Sequence, residues 1–320
     1  MTTLWDTTGS AVVKELAAQR RTGGAVLSGV ALTLVVVRRQ IDAPAPRLDA
    51  EVLIGGRLGP GEAVVMRMYG RLGLHAESVV LPLLAADAPV VAWWHAAPPD
   101  RLATDALAVF ADRRITDSSI PEDPRAALRT RADDFAPGDT DLAWTRCTSW
   151  RAILASTLDA VSGRRGEPVQ VTGGVIEGDP GNASAQLLGG WLSSRTGKKI
   201  AVEAGGRTPG ASGVDSVVLR LDQKEEVRIQ ADRKGGATIS QPFRPDATVA
   251  LPDRPLGDLL SEELRRLDSD EPYREALEAA TGVTGLADRP EVREHIWFDP
   301  AEEDNGGPAK KRPVKAAKDG

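Results

Sequence analysis

The sequence predicts an α/β protein: an N-terminal domain built in three layers on a mainly parallel sheet, followed by an α+β domain with a largely antiparallel sheet. Three observations carry this. Strand-like and amphipathic segments alternate from the N-terminus to about residue 160, the pattern of helices packed on a parallel sheet. Two runs, Ala31–Val37 (ALTLVVV) and Pro89–Trp94 (PVVAWW), lack polar alternation, as strands buried on both faces do. Beyond Ser162–Gly166 (SGRRG), short strand-like segments follow one another across turn residues, which suits antiparallel pairing.

The elements follow in order. A helix over about Ser10–Arg21 opens after Thr7-Thr8, carries the apolar residues Val12, Val13, Leu16 and Ala17, and ends at Gly23-Gly24. Ala31–Val37 is a strand. Glu51–Ile54 and Ala63–Tyr69 are further strands joined by the glycine-rich turn Gly55–Gly61. Leu74–Ala85 is helical until Pro82. Pro89–Trp94 is a strand, and Arg113–Thr116 a shorter one; helices are predicted at Thr104–Ala111, Pro124–Phe135 and Asp141–Asp159. After the break come a strand at Val169–Ile176, a helix at Ala183–Arg195 and a strand at Lys199–Glu203. Strand-like segments recur at Val214–Leu221, Val227–Ala231, Ala237–Ser240 and Thr248–Leu251, and helices at Leu256–Leu267 and Glu271–Ala280 close the series. The domains are therefore expected at residues 1–162 and 167–300. The polar stretch 301–320, ending PAKKRPVKAAKDG, has the composition of a disordered basic tail.

Composition narrows the function classes. A chain of 320 residues with 41% hydrophobic and 27% charged residues suits a soluble two-domain protein. Its net charge of −6 is not the footprint of a nucleic-acid binder. No apolar run approaches the roughly 20 residues that span a bilayer, and the opening MTTLWDTTGS lacks the form of a signal peptide. A single cysteine, Cys147, excludes an internal disulfide. A cytoplasmic location is expected.

Reaction chemistry is sparse. His75, His95 and His295 lie far apart in sequence, without metal-ligand spacing. GxSxG, GxxxxGK and GxGxxG are all absent. Two features suggest an anion site: the basic pair Arg113-Arg114 and the Gly55–Gly61 turn. The turn joins two strands rather than opening a helix, unlike a phosphate cradle, and a basic pair at a strand start is commonly a surface feature.

The richest segment is Pro137–Arg151, PGDTDLAWTRCTSWR. Pro137-Gly138 stops what precedes it, and Asp139 or Thr140 is placed to cap the first turn of a helix. Ala143, Cys147, Trp150, Leu154 and Leu158 fall on one face at helical spacing and form the expected core stripe. Asp141, Trp144, Thr148 and Arg151 fall on a second face. Trp and Arg are the residues most enriched at interface hot spots, so this face is a candidate partner contact. Trp93-Trp94 support it, and Arg113 and Asp117 lie in a neighbouring motif. The competing reading places Trp144 in the core and pairs Arg151 with Asp141 along the surface.

The segments SVVLPLLAADAPVVAWW (Ser78–Trp94), RRITDSS (Arg113–Ser119) and PGDTDLAWTRCTSWRAIL (Pro137–Leu154) resemble the glucose-6-phosphate dehydrogenase assembly protein family, OpcA, in its actinobacterial form. WDTTGSAVVKEL (Trp5–Leu16), RLDAEVLIGG (Arg47–Gly56) and LSEELRRLDSDEPYREAL (Leu260–Leu277) are also similar. The resemblance implies a non-catalytic protein that binds glucose-6-phosphate dehydrogenase, promotes or activates its active oligomer, and so supports NADPH production in the oxidative pentose phosphate pathway. It brings no catalytic, cofactor or metal residues.

Two departures stand out. The family has a further helix and strand between the segments matching Leu32–Val37 and Arg47–Gly56. Here RRQIDAPAP fills that place, too short for a parallel crossover of a dozen residues or more. Either one crossover is lost or a segment is left out, and the strand order of the first domain stays open. Second, cyanobacterial relatives are associated with thiol control, whereas Cys147 on the core stripe is expected to be inert. Two other function classes compete: a sugar-phosphate sensor or enzyme using Arg113, Arg114 and the Gly55–Gly61 turn, and a scaffold acting through the basic tail.

Overall fold

A computed structural model describes residues 2–22, 33–37, 44–54, 62–84, 88–206, 212–232, 234–290, 295–296 and 313–314. The Gly55–Gly61 turn lies outside the described residues, as does the tail 301–320 except Pro313–Val314, which pairs antiparallel with His295–Ile296. The chain divides into two compact units, one of residues 1–96, 102–114 and 292–320, the other of 97–101 and 115–291.

In the first unit β1 (Thr2–Leu4) leads into α1 (Gly9–Thr22), whose apolar Val12 and Leu16 are buried and Val13 and Ala17 half-buried. β2 (Thr33–Val37) is followed by β3 (Arg47–Ile54) and β4 (Glu62–Tyr69). β3 and β4 pair antiparallel along their whole length, and β1 joins the other edge of β3. The chain thus leaves the parallel sheet after β2 without a crossover, which is why the short RRQIDAPAP connection suffices. The helical segment before Pro82 is α2 (Ala76–Val80), flanked by 3-10 turns. β5 (Val90–Trp94) is buried throughout and runs parallel to β2, with Val36 beside Trp93.

Two expectations fail in this unit. The β2 run is not buried on both faces: Val36 is 51% exposed, and among the described residues β2 has a strand neighbour on one side only, which leaves its side chains less covered. Thr104–Ala111 is not a helix but a 3-10 turn at Leu102–Thr104 followed by turns. There Asp105 Oδ1 accepts from the amides of Leu107 at 2.9 Å and Ala108 at 3.3 Å. Such a local side-chain bond offers the backbone an alternative to the helix. Leu107, Ala108 and Ala111 are still buried, packed with Trp94, Ala92 and Val37.

β6 (Arg113–Thr116) leads into α3 (Pro124–Asp133), capped by Asp123, and then β7 (Asp139–Asp141). β2, β5, β6 and β7 form a parallel four-strand sheet in that order. The helix expected over Asp141–Asp159 is two: α4 (Leu142–Thr145) and α5 (Thr148–Arg165). At the joint the Cys147 amide donates to Trp144 rather than to Ala143, a tightening of the turn that re-aims the chain. Gly166, at φ 75°, ends α5 with its amide on Ser162.

The remaining strands build a six-stranded sheet in the order β13-β12-β11-β10-β8-β9. β8 (Val171–Gly178), α6 (Ala183–Thr196) and β9 (Ala201–Ala204) make one parallel step. β10 (Val214–Leu221), β11 (Glu226–Ala231), β12 (Gly236–Gln241) and β13 (Arg244–Ala250) then run antiparallel as a meander. α7 (Leu256–Glu263) and α8 (Glu271–Thr281) follow. One core lies between this sheet and α5 and α6, with Trp150, Leu154, Leu188, Ile176, Val217 and Ile229. A second joins α3, α4, α6 and α8 through Leu128, Trp144, Leu187, Tyr273 and Leu277. α6 touches α8 at Gly190, where an added Cβ would stand 2.1 Å from the Ala276 carbonyl oxygen. Burial on this scale is the main stabilising term of the unit.

Candidate functional site

The candidate site grows from the ends of β6 and β7. Gly138, at φ 88°, turns the chain, and Asp139 accepts from the Ala136 amide at 2.9 Å instead of capping a helix. The cap is Asp141, still extended at φ −139°, whose Oδ1 accepts from the Ala143 amide at 2.9 Å.

Asp141 is fully buried and does more than cap. Its carboxylate accepts from Thr116 Oγ1 at 2.8 Å, from Ser118 Oγ at 2.6 Å and from the Ser118 amide at 3.0 Å. Burial, followed by the neighbouring charge of Asp117, pushes the Asp141 carboxyl above the ordinary range, against the pull of these donors. Asp117 meets Arg146 in a two-pronged pair at 2.8 and 2.5 Å, and Ser119 Oγ accepts from the same guanidinium at 3.1 Å. A planar guanidinium fits a carboxylate in this paired way. The RRITDSS and PGDTDLAWTR segments are therefore bonded to each other.

The third segment closes on the α4–α5 joint. Thr145 Oγ1 donates to Glu263 Oε1 at 2.6 Å, and Thr148 Oγ1 to Glu262 Oε1 at 2.8 Å. Trp144 Nε1 donates to Asp270 Oδ2 at 2.9 Å, while Asp270 Oδ1 caps α8 through the Tyr273 amide at 3.0 Å. Arg151 lies over the Trp144 ring and donates to Thr148 Oγ1 at 2.8 Å. Burial lowers the Arg151 pKa. LSEELRRLDSDEPYREAL thus supplies the carboxylates that hold the tryptophan helix.

This placement corrects the sequence reading of the helix faces. Trp144 is only 1% exposed and belongs to the core shared by α3, α4, α6 and α8, not to a separate outer face. The joint at Cys147 breaks the single helical wheel on which the two faces rest. Arg151 does not pair Asp141 along the surface; each has other partners. Cys147 is buried, its thiol donating to the Ser184 carbonyl at 3.0 Å, and burial pushes its pKa up to about 12.

Of the residues singled out, Asp117, Asp141, Trp144 and Arg151 come together in the second unit. Trp93 and Trp94 are buried in β5 of the first unit, where Trp93 meets His95 edge-on at 4.9 Å between ring centres. Arg113 and Arg114 are buried in β6 rather than surface groups, and Arg114 donates to the Ala111 carbonyl. Sequence reasoning missed Arg146, Thr116, Ser118, Glu262, Glu263 and Asp270 as members of the cluster. The available signal was the density of Asp, Ser and Thr in the first two segments and of Asp, Glu and Ser in the third.

Among the described residues no group of three or more His, Cys, Asp or Glu side chains is arranged to hold a metal ion, and no helix is long and apolar enough to cross a membrane. Two family models match the chain: the glucose-6-phosphate dehydrogenase subunit N-terminal domain over residues 33–133 and the C-terminal domain of the same subunit over residues 137–277. The chain belongs to the OpcA family of glucose-6-phosphate dehydrogenase assembly proteins. Searches of curated proteins and of solved structures returned no match. Of the bonded cluster, Asp141, Arg146 and Asp270 lie within the C-terminal match, and Thr116, Asp117 and Ser118 within the N-terminal one.

Proposed function

We propose that this chain is a non-catalytic partner of glucose-6-phosphate dehydrogenase that binds the enzyme, favours its active conformation or oligomer, and thereby supports NADPH production in the oxidative pentose phosphate pathway of the cytoplasm. The observation that carries this reading is the match to both OpcA domains across most of the chain. The chemistry of the cluster supports it. Its carboxylates, hydroxyls and guanidinium groups are occupied with one another, which makes a rigid frame rather than an acid–base pair facing a substrate.

In this reading Asp141 and Trp144 are supports, and contact with the dehydrogenase is made in or beside the surface above Asp117, Arg146 and Arg151. Trp93, Trp94 and Arg113 support the other unit in the same way. A partner shifts an enzyme between states only through its differential affinity for them. The test is kinetic: the purified chain alone turns over neither glucose 6-phosphate nor NADP, and added at saturation it raises the activity or lowers the Michaelis constants of its dehydrogenase. Superimposable rate curves with and without the chain reject the proposal.

A further inference from the structure

α7 is built unlike the helices around it. Its entry residue Pro255 brings no capping side-chain bond, and Gly257 stands in its first turn. A Cβ added at Gly257 would meet nothing within 4 Å, so no close approach calls for glycine, which weakens a helix relative to alanine. Leu259 is fully buried, but Leu256 is 42% exposed and Leu260 and Leu264 are half-buried. A helix of 8 residues does not hold together without packing.

The side chains that α7 turns inward to the α4–α5 joint include two carboxylates. Glu262 and Glu263 accept from Thr148 at 2.8 Å and from Thr145 at 2.6 Å. Arg254 pairs with Glu262 and donates to the Asp258 carbonyl at 3.0 Å. These Arg254 bonds tie α7 to its own lead-in and travel with it. The chain is exposed on both sides, at Pro252-Asp253 and at 265–269. α8 is the contrast: Asp270 caps it, and Tyr273, Ala276 and Leu277 are buried.

We infer that α7 is a strap that lifts from the α4–α5 joint while α8 stays docked, with the two carboxylate–hydroxyl bonds as its catch. Lifting breaks those bonds and exposes little apolar surface beyond Leu259. α8 cannot leave without opening the core that it shares with α3, α4 and α6. Elements with few buried apolar contacts open at lower free energy than the whole fold. Lifting uncovers the hydroxyls of Thr145 and Thr148, and Trp144 stays tied to α8 through Asp270.

The test is native-state hydrogen exchange on the full chain across low urea. The Leu259 and Leu264 amides, bonded to Pro255 and Leu260, are expected to exchange about a hundredfold faster than those of Ala276 and Leu277, with little dependence on urea. Thr148→Val removes one bond of the catch and speeds exchange in α7 about tenfold, leaving α8 unchanged. Gly257→Ala touches no other residue and slows exchange in α7 about threefold, again leaving α8 unchanged. Exchange of α7 and α8 in one urea-dependent step overturns the strap. So does a Gly257→Ala chain in which α7 is unchanged or α8 slows by the same factor.

Discussion

The Arg151 guanidinium carbon lies 3.3 Å from the centre of the Trp144 ring, stacking a half-buried cation on a buried aromatic. Cation–aromatic contacts strengthen as water is removed from them, and the ring is anchored at its edge by the Nε1 bond to Asp270. Trp144→Ala is expected to cost about 3–5 kcal/mol and to lower the melting temperature by roughly 10 °C. Trp144→Phe keeps most of the packing and loses the Asp270 bond, costing about 1–2 kcal/mol. Binding of the dehydrogenase then falls only with the folded fraction. Thermal unfolding measured beside binding decides it, and a binding loss at an unchanged melting point would put Trp144 in the interface itself.

Asp141 is expected to separate shape from charge. Alanine there strands the Thr116 and Ser118 donors and uncaps α4, at a cost of about 3 kcal/mol or more. Asparagine retains one acceptor, and the two hydroxyls can rotate to accept from its amide; a cost of about 1 kcal/mol is expected. Denaturant titration of both variants gives the comparison, and equal losses would contradict the hydrogen-bond assignment.

The Asp117–Arg146 pair is nearly buried, so removing one partner leaves the other charge uncompensated. Arg146→Ala is expected to cost about 3–5 kcal/mol. Arg146→Lys keeps the charge but not the two-pronged geometry, and more than half the loss is expected to remain. A double-mutant cycle with Asp117→Asn is expected to show a coupling of about 2 kcal/mol; additive losses would mean that the contact is incidental.

Cys147 is expected to resist alkylation at pH 8 in the folded chain and to react fully in denaturant. The thiol pKa is raised to about 12 in the fold, while the unfolded chain has an ordinary thiol near 8.5. Protons therefore leave the unfolded state first as pH rises, and this group costs folding up to about 1.4 kcal/mol per pH unit between those values. Below the ordinary thiol range it contributes nothing. Unfolding at pH 8 and 9.5, with Cys147→Ala as control, measures the slope. Rapid labelling of the native chain would refute the buried thiol.

What could be read from the sequence was whatever depends on neighbours in the chain. Val214–Leu221 is a strand with the predicted ends; of the expected stripe, Ala143, Cys147, Trp150 and Leu154 are buried and Leu158 is half-buried, although the joint at Cys147 divides them between two helices. The joint at Cys147 was hidden, because no Gly or Pro marks it; side-chain bonds from Thr145 and Thr148 to another helix accompany it. Asp141 was visible as a helix-start residue but not as a buried hub. Its donors Thr116 and Ser118 come from a different strand end, 25 and 23 residues away. Trp144 illustrates the ambiguity of an aromatic on a helix: the same residue suits a core or a contact, and only the arrival of α8 decides.

That arrival is late. Trp144, Thr145 and Thr148 find their carboxylate partners 126, 118 and 114 residues further along the chain. At about 5–20 residues per second of synthesis, the wait is roughly 6 to 25 seconds. Throughout it, the Trp144 indole and the Thr145 and Thr148 hydroxyls lack these acceptors, and one side of the core is open. Glu262, Glu263 and Asp270 thus act as a latch that closes on the tryptophan helix only after more than a hundred further residues have been made.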